Sequence, residues 1–158
     1  MKIISHRGNL NGCDPKTENT VDAIVSAIER GFDVEIDVWF LNNSFYLGHD
    51  SPCYKIDANF LTNPVLWCHA KNKEALEKML DLKVHCFWHE NDRMTITSRG
   101  IVWCYPSNYS RKGVTVVFGD KIIPIPKESI GICTDYPQIW DTYTRLTAIH
   151  TSTLKGEE

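Results

Sequence analysis

The stretch Val34-Glu35-Ile36-Asp37-Val38-Trp39 decides the fold, because its aliphatic residues alternate with carboxylate and aromatic residues. This period of two predicts a β-strand with both carboxylates and the tryptophan on one face. Before it, residues 2–5 are apolar and β-prone and run into a loop rich in Asn, Gly, Asp and Pro. We therefore expect two strands, with His6 and Arg7 carried to the end of the first one.

The chain between these strands predicts one amphipathic helix. Its apolar side chains recur at helical spacing, at Val21, Ile24, Val25 and Ile28. Thr17 is the expected N-cap and Gly31 the expected residue after the C-cap, which places Glu18 in the first helical turn. A strand, a helix and a strand in succession are typical of a parallel sheet, in which functional groups collect at the carboxyl ends of the strands.

The rest of the chain continues this pattern and then loses its helices. A turn leads into a strand at 45–47 that carries His49, and a helix at 73–82 precedes a strand at 84–88. Beyond that strand, Gly, Pro, Ser and Asn separate short β-rich segments at 94–97, 101–105, 114–118 and 121–125. Helical spacing returns only at 137–149.

The length of 158 residues suggests one domain and is too short for a complete (β/α)₈ barrel, which typically needs about 250 residues. We therefore predict an α/β fold, an abbreviated (β/α) TIM-type barrel with helices missing in the second half. The domain is expected to span residues 1–151, and the polar tail 152–158 is expected to fray. Missing helices leave apolar surface that loops, the final helix or a second subunit must cover, so a homodimer is also expected.

Four short motifs in the first third of the chain carry chemistry: His6-Arg7-Gly8, Glu18-Asn19-Thr20, Glu35-Ile36-Asp37 and His49-Asp50. Paired carboxylates are hard oxygen ligands suited to Mg²⁺ or Ca²⁺. Histidines, whose unperturbed pKa lies near neutrality, can take up and release a proton in turn. The order of these groups suits metal-assisted attack on a phosphodiester, although alternating carboxylates are more often a solvated strand face.

These four motifs resemble those of the glycerophosphodiester phosphodiesterase family, within the phosphatidylinositol phospholipase C-like phosphodiesterase superfamily. In Trp67-Cys68-His69-Ala70-Lys71 the chain resembles a family strand that ends in Glu-x-Lys. The segment Gly131-Ile132-Cys133-Thr134-Asp135-Tyr136-Pro137 is similar to the family's closing Thr-Asp-x-Pro motif. The resemblance is dense over the first third of the chain and touches both ends, so the chain would be an unusually short member.

The resemblance implies a divalent-metal-dependent phosphodiester hydrolase of lipid metabolism, acting on a small glycerophosphodiester-like substrate. It implies roles for six residues: His6 and His49 as general acid and base, Glu35 and Asp37 as metal ligands, Arg7 and Lys71 as cations that neutralise the phosphate. In the family, a hydroxyl of the substrate attacks phosphorus first and gives a cyclic phosphodiester. A lyase that stops at this cyclic product is therefore an alternative.

One position departs from the family pattern and affects the choice of metal. The family's third protein ligand is usually acidic, and this chain has His69 there. Imidazole is a softer donor that suits Zn²⁺ or Mn²⁺ better than Ca²⁺, so Mg²⁺ or Ca²⁺ is expected first and Mn²⁺ or Zn²⁺ as an alternative. Glu18 is a further candidate ligand, directly or through water, and its alternative role is a favourable charge at a helix N-terminus. For His69, a ligand role and a structural role are equally open.

Trp39 is a candidate for an aromatic wall against a sugar or polyol head group, because strand alternation places it on the face of the two carboxylates. Trp67, Trp88 and Trp103 also lie at or near predicted strand ends, and ordinary core packing is the alternative for all four tryptophans. The polar run 89–93 is expected to form a surface turn or to enter the mouth of the site. Asp135 is either part of the closing motif or simply a turn former.

Composition argues against two classes of partner. A net charge of −3 and a sequence pI of about 6.1 argue against nucleic-acid binding, which normally shows a basic patch. No apolar run approaches the roughly 20 residues of a membrane span, so no stable membrane insertion is expected, and the lack of a signal peptide favours a cytoplasmic location. Four of the six cysteines lie in predicted strands, at positions 68, 86, 104 and 133, and are expected to be buried free thiols.

A rival function from another class is a non-catalytic domain that keeps the pocket and binds a phosphorylated polyol or a sugar phosphate. The pair of histidines favours the enzyme, since a binding domain needs the charges of the site but not two proton carriers. The sequence does not separate hydrolase from lyase, because both use the same groups.

Overall fold

The computed structural model describes residues 1–153, with the side chains of residues 1–148. These residues form ten strands: β1 (Lys2–His6), β2 (Asp33–Leu41), β3 (Ser44–Leu47), β4 (Tyr54–Ile56), β5 (Leu66–Ala70), β6 (Cys86–Phe87), β7 (Met94–Ile96), β8 (Val102–Cys104), β9 (Gly113–Val117) and β10 (Gly131–Thr134). They also form the helices α1 (Val21–Glu29), α2 (Lys73–Asp81) and α3 (Pro137–Thr153), and a short 3-10 helix at Ala58–Thr62. Within the described residues, no helix is long and apolar enough to cross a membrane.

All these strands belong to one sheet. Its parallel part has the spatial order β6-β5-β2-β1-β10-β9-β8. Strand β7 adds antiparallel to β8, and the antiparallel pair β3 and β4 extends from β2. The first strand lies beside the last, with Lys2 opposite Gly131. The protein is therefore a mixed α/β protein with a largely parallel sheet, as the sequence predicts.

The sheet curls until its two sides meet. The backbone N–H of Ser98, just after β7, donates to the carbonyl of Cys86 in β6 at 2.7 Å. Across the same contact, Trp103 of β8 stacks on Phe87 of β6 with ring centroids 4.5 Å apart. No α-helix lies between β6 and β10, a part of the chain that is described throughout. A curled sheet with few helices is compatible with an abbreviated barrel.

One face of β2 builds the main core. Val34, Ile36 and Val38 are fully buried in a cluster that includes Ile24 of α1 and Met79 of α2. Each aliphatic side chain buried in this way stabilises the fold by about 1.5–3 kcal/mol. Since this face anchors β2 so firmly, the side chains on its opposite face are held in fixed positions.

The start of α1 differs from the prediction. The helix begins after Thr20, whose hydroxyl accepts from the backbone N–H of Ala23 at 3.2 Å, so Thr20 and not Thr17 is the N-cap. Asn19 has a left-handed φ of 59°, which stops the helix from extending back to Glu18. Glu18 therefore lies in the loop before the helix and not in its first turn.

Residues 121–125 do not form the predicted strand. Pro124 and Pro126 lack the backbone N–H that a strand ladder needs. The apolar pattern instead serves packing, since Ile122 and Ile123 lie against a cluster that contains Trp140 of α3. This segment and the last helix therefore cover the sheet where other helices are missing.

The remaining predictions concern cysteines and the chain end. All six cysteines are free, and those at 68, 86, 104 and 133 are buried, as predicted. Helix α3 continues to Thr153, so the first two residues of the expected tail 152–158 are helical. Residues 154–158 lie outside the described part of the chain.

Candidate functional site

A cavity of about 650 Å³ opens beside the carboxyl ends of the parallel strands. Six of the residues given a catalytic, phosphate-binding or metal-ligand role line it: His6, Arg7, Glu35, His49, His69 and Lys71. Asp135 lines it too, and so do His89 and Glu90 of the polar run 89–93, which therefore enters the mouth of the site. Asp37 lies directly behind this wall, in contact with His69 and Lys71. The structure therefore brings together both histidines, both cations and the carboxylate pair that the motifs predict.

A group of three potential ligands forms the acidic side of the cavity. One ligand atom from each of Glu35, Asp37 and His69 lies within 4.8 Å of the others. The register of β2 and β5 causes this, because it places Asp37 directly opposite His69. Glu35 and Asp37 are 2% and 1% exposed, so the carboxylates of β2 are not a solvated strand face.

Glu35 carries an unusual buried charge. Its Oε2 is buried and has no hydrogen-bond partner within the described residues. Burial raises the pKa of Glu35, and the charge of Asp37 raises it further. Because an ionised carboxylate buried without a partner is costly, this oxygen is suited to bind a cation or a proton that enters the cavity.

Asp37 is, by contrast, saturated with partners. Asn19 donates to Oδ2 at 2.9 Å and accepts from the Asp37 backbone N–H at 3.0 Å. Arg7 Nε lies 3.0 Å from Oδ2, and His69 Nδ1 and Lys71 Nζ lie 3.1 and 3.5 Å from Oδ1. Burial alone would raise the pKa of Asp37, but the hydrogen bond from His69 and the surrounding positive charges lower it well below its usual range. Asp37 is therefore a permanent anion.

His69 faces an acceptor at each ring nitrogen. Nδ1 lies 3.1 Å from Oδ1 of Asp37, and Nε2 lies 3.2 Å from the carbonyl oxygen of His89. Both oxygens only accept, so each hydrogen bond needs an N–H on the facing ring nitrogen, and the tautomer decides which nitrogen donates. The ring also stacks on Phe87 and His89, with centroids 5.1 and 4.6 Å away. To ligate a metal, His69 has to release one of these two hydrogen bonds.

The donor set fits a divalent cation through its two carboxylates. The buried, unpartnered oxygen of Glu35 is a hard ligand, and Asp37 supplies a second one close by. Glu18 lies outside this group. Its Oε1 accepts from Arg7 Nη1 at 3.0 Å and its Oε2 from the Cys13 thiol at 3.3 Å. In this arrangement Glu18 fixes the Arg7 guanidinium.

His6 is held by a carboxylate from the far end of the chain. Its Nδ1 donates to Asp135 Oδ1 at 2.9 Å, and its Nε2 lies 3.8 Å from Oε2 of Glu35. Asn9 also donates to the same Asp135 oxygen, at 2.8 Å. Burial alone would lower the pKa of His6, but the hydrogen bond to Asp135 and the charge of Glu35 outweigh it and raise the pKa. Nε2 is therefore the ring atom left to exchange a proton in the cavity.

His49 has a similar partner in a more open position. Its side chain is 38% exposed, and Nδ1 donates to Asp50 Oδ1 at 2.7 Å. Trp39 supports this loop, since its indole N–H donates to the carbonyl of Gly48 at 2.7 Å. Trp39 is not among the residues that line the cavity, so the structure does not place it as the aromatic wall proposed from the strand pattern.

Sequence reasoning missed several residues of the site. Asn19 and Asp135 lie inside quoted motifs, but nothing local indicates that they bind Asp37 and His6. Asn9 carries no local signal at all. Four aromatic side chains also line the cavity. Trp88 and Trp103 lie at or near predicted strand ends, where the sequence leaves an aromatic wall open beside core packing, whereas Tyr105 and Phe118 are not predicted to form it. Their positions after β6, within or after β8, and after β9 are the only sequence signal for this wall.

Comparison of the chain with protein-family models, with curated proteins and with solved structures found no match.

Proposed function

We propose that this chain is a divalent-metal-dependent phosphodiesterase of the glycerophosphodiester phosphodiesterase type, built on an abbreviated TIM-type barrel. The observation that carries the proposal is the 3.8 Å approach of His6 Nε2 to the unpartnered Oε2 of Glu35. A proton carrier thus adjoins an open position for a cation in one cavity, with Arg7 and Lys71 on the same wall. The substrate is a small glycerophosphodiester-like compound.

Arg7 and Lys71 supply positive charge for the phosphate. Arg7 is fixed between Glu18 and Asp37, at 3.0 Å from each. Lys71 Nζ is 3.5 Å from Asp37, longer than a strong hydrogen bond, so its ammonium can turn toward a phosphate oxygen. Such fixed cations offset the charge that builds on the non-bridging oxygens.

His6 and His49 supply the proton transfers. Each ring donates from Nδ1 to an aspartate, Asp135 or Asp50, which fixes the tautomer and leaves Nε2 for chemistry. One histidine removes the proton from the attacking hydroxyl, and the other protonates the leaving alcohol. Glu35 and Asp37 would hold a divalent ion, and the chemistry that this ion would supply is polarisation of the phosphoryl oxygens.

Phosphorus NMR tests this proposal directly. The purified protein is incubated with a mixture of glycerophosphodiesters and Mg²⁺, Ca²⁺, Mn²⁺ or a chelator. The variants His6→Gln and His49→Gln are assayed under the same conditions. We expect a metal-dependent product whose rate of formation falls by about 10²- to 10⁴-fold in each variant. The matched control is His85→Gln, since His85 is buried away from the cavity and bonds Thr97. A phosphomonoester identifies a hydrolase, and a cyclic phosphate identifies a lyase.

The rival is a binding domain for a phosphorylated polyol or a sugar phosphate. If no substrate is consumed with any metal and calorimetry shows that such a phosphate binds, the chain is this binding domain and not an enzyme. The cytoplasmic location and the homodimer expected from the sequence stay predictions. Size-exclusion chromatography with light scattering tests the homodimer.

A further inference from the structure

Asn9 is a buried residue of the site to which the proposed mechanism gives no role. It lies in the loop between β1 and α1 and is 4% exposed. Its backbone holds this loop, because its N–H donates to the carbonyl of His6 at 2.9 Å and its carbonyl accepts from the Ser5 hydroxyl at 2.7 Å. Any residue with a backbone N–H could make these two bonds. The side chain adds one long contact within the loop, from the backbone N–H of Asp14 to Oδ1 at 3.4 Å.

The amide nitrogen of Asn9 lies between two carboxylates. Nδ2 donates to Oδ1 of Asp135 at 2.8 Å and to Oε2 of Glu18 at a longer 3.5 Å. The same Oδ1 accepts from Nδ1 of His6 at 2.9 Å, and the other oxygen of Glu18 accepts from Nη1 of Arg7 at 3.0 Å. An amide nitrogen has two protons and no charge, so it can bind both anions without acting as a counter-ion. Asn9 therefore joins the pair that holds the proposed proton carrier to the pair that holds a phosphate-binding cation.

The contact with Asp135 is the stronger of the two. Its oxygen Oδ1 accepts from both Asn9 and His6, so the carboxylate cannot turn this oxygen away from the amide without also moving it away from the ring. The last torsion of an aspartate side chain is broad, and a second donor on one oxygen narrows it. The contact with Glu18 is at the limit of hydrogen-bond length, and the Cys13 thiol also donates to that oxygen, at 3.3 Å. Asn9 therefore acts mainly on Asp135 and, through it, on His6.

We propose that Asn9 is a positioning residue, whose amide fixes the Asp135 carboxylate and through it the ring of His6. The chemical role of that ring rests on the proposed function, whereas its position does not. Because Nδ1 of His6 stays bonded to a fixed oxygen, Nε2 keeps one direction, toward Oε2 of Glu35 at 3.8 Å. A merely structural asparagine would stabilise the loop and leave the ring in place when it is replaced.

Proton NMR of the protein without metal or substrate tests how the ring is held. A histidine N–H in a fixed hydrogen bond to a carboxylate exchanges slowly with water and gives a resolved downfield signal, whereas a loosely held N–H exchanges too fast to be seen. The variant His6→Gln assigns this signal, because it lacks the ring. Asn9→Leu keeps the size of the side chain and removes both donors. We expect the Nδ1–H signal of His6 in the original protein and its loss in Asn9→Leu.

Two further variants complete the test. Asn9→Ala also removes the donors and should lose the signal, which keeps the test valid if leucine does not fit the buried position. The matched control is Asn11→Leu in the same loop, since Asn11 is exposed and the signal should stay. Urea denaturation checks that each variant folds. A signal that is absent from the original protein, or that survives in Asn9→Leu or Asn9→Ala, would overturn the inference. Because these signals need no turnover, their outcome is separate from that of the phosphorus NMR assay.

Kinetics measure the effect of Asn9 on the proposed reaction. When a substrate is turned over, Asn9→Ala is expected to lower kcat about tenfold and to change KM by less than about twofold, because the ring is misplaced while the cations stay. Asn11→Leu should leave both values unchanged. A raised KM with a normal kcat in Asn9→Ala would show that Asn9 acts on substrate binding and would overturn the positioning role.

Discussion

Nδ1 of His6 donates to Oδ1 of Asp135 at 2.9 Å, although 129 residues separate them in the chain. The register of the sheet explains this contact. Ser5 lies opposite Thr134 in the parallel pair of β1 and β10, so the next residue of each strand emerges at the same edge. The first and last strands together therefore build the proton carrier of the proposed enzyme.

Asp135→Asn is expected to lower kcat by about 10²-fold, the lower end of the range for general acid–base groups. An amide still holds the ring but does not stabilise its protonated form. Metal affinity should not change, since Asp135 is not in the group that contains Glu35 and Asp37. Steady-state kinetics and a Mn²⁺ titration check this, with Asp141→Asn on the surface of α3 as control. A normal kcat in Asp135→Asn would show that the hydrogen bond between His6 and Asp135 plays no part in the mechanism.

Glu35→Gln is expected to stabilise the protein while weakening metal binding. The substitution removes a buried charge that has an unpartnered oxygen and a raised pKa. We expect the free energy of unfolding without metal to rise by about 1 kcal/mol and Mn²⁺ affinity to fall at least roughly tenfold. Urea denaturation and calorimetry measure the two effects, with exposed Glu29→Gln as control. If Glu35→Gln binds Mn²⁺ as tightly as the original protein does, the ion is bound by other ligands.

Asn19 is expected to matter through both its side chain and its backbone. Asn19→Gly loses the hydrogen bonds to Asp37, which costs about 2 kcal/mol of unfolding free energy. Asn19→Ala loses the same hydrogen bonds and lowers the unfolding free energy by about 1 kcal/mol more, because the φ of 59° is unfavourable for a residue with a Cβ. Denaturant midpoints of the two variants measure the difference. If the Gly and Ala variants are equally stable, the left-handed backbone at position 19 does not contribute the expected ~1 kcal/mol.

Trp39→Phe is expected to reduce kcat by about tenfold with little change in KM. The variant loses the hydrogen bond to Gly48 and so loosens the loop that carries His49. An aromatic wall for the substrate would give the opposite pattern, a raised KM with kcat preserved. Kinetics on one substrate at several concentrations separates these two roles of Trp39.

His85 is expected to make the protein less stable in acid. Burial, with the charge of Arg99, lowers the pKa of His85 to about 4, while an unfolded histidine titrates near about 6.5. The neutral ring is favoured in the folded state, so its contribution is complete above pH ~6.5 and is lost as the pH falls toward about 4. Urea unfolding across this range should show a shallower decline for His85→Gln. If the unfolding free energies of the original protein and of His85→Gln fall in parallel as the pH is lowered, His85 is not a buried neutral ring.

Local patterns predict much of this fold because they depend on neighbouring residues. The alternation around Glu35 and the helical spacing of α1 and α2 identify elements that the structure contains. Residues 121–125 show the limit of such patterns. Their apolar side chains are buried by packing, but the prolines prevent the ladder that a strand requires.

The site was harder to predict where it depends on distant pairing. The motifs place both histidines and the carboxylates at strand ends, but the role of Asp135 needs the pairing of β1 with β10, which no local pattern encodes. Alternation also assigns Trp39 to the correct face. The hairpin of β2 and β3 is also predicted, but neither pattern reveals that Trp39, opposite Tyr46, is not among the residues that line the cavity.

The adjacency of the first and last strands also sets the moment at which the molecule can begin to work. While the ribosome has made only the chain before β10, β1 has no neighbour on one side and His6 has no aspartate. A stalled or prematurely terminated product that lacks Asp135 would be catalytically silent, even with every motif of its first half in place. The protein thus gains the proposed activity only once β10 and Asp135 have been synthesised.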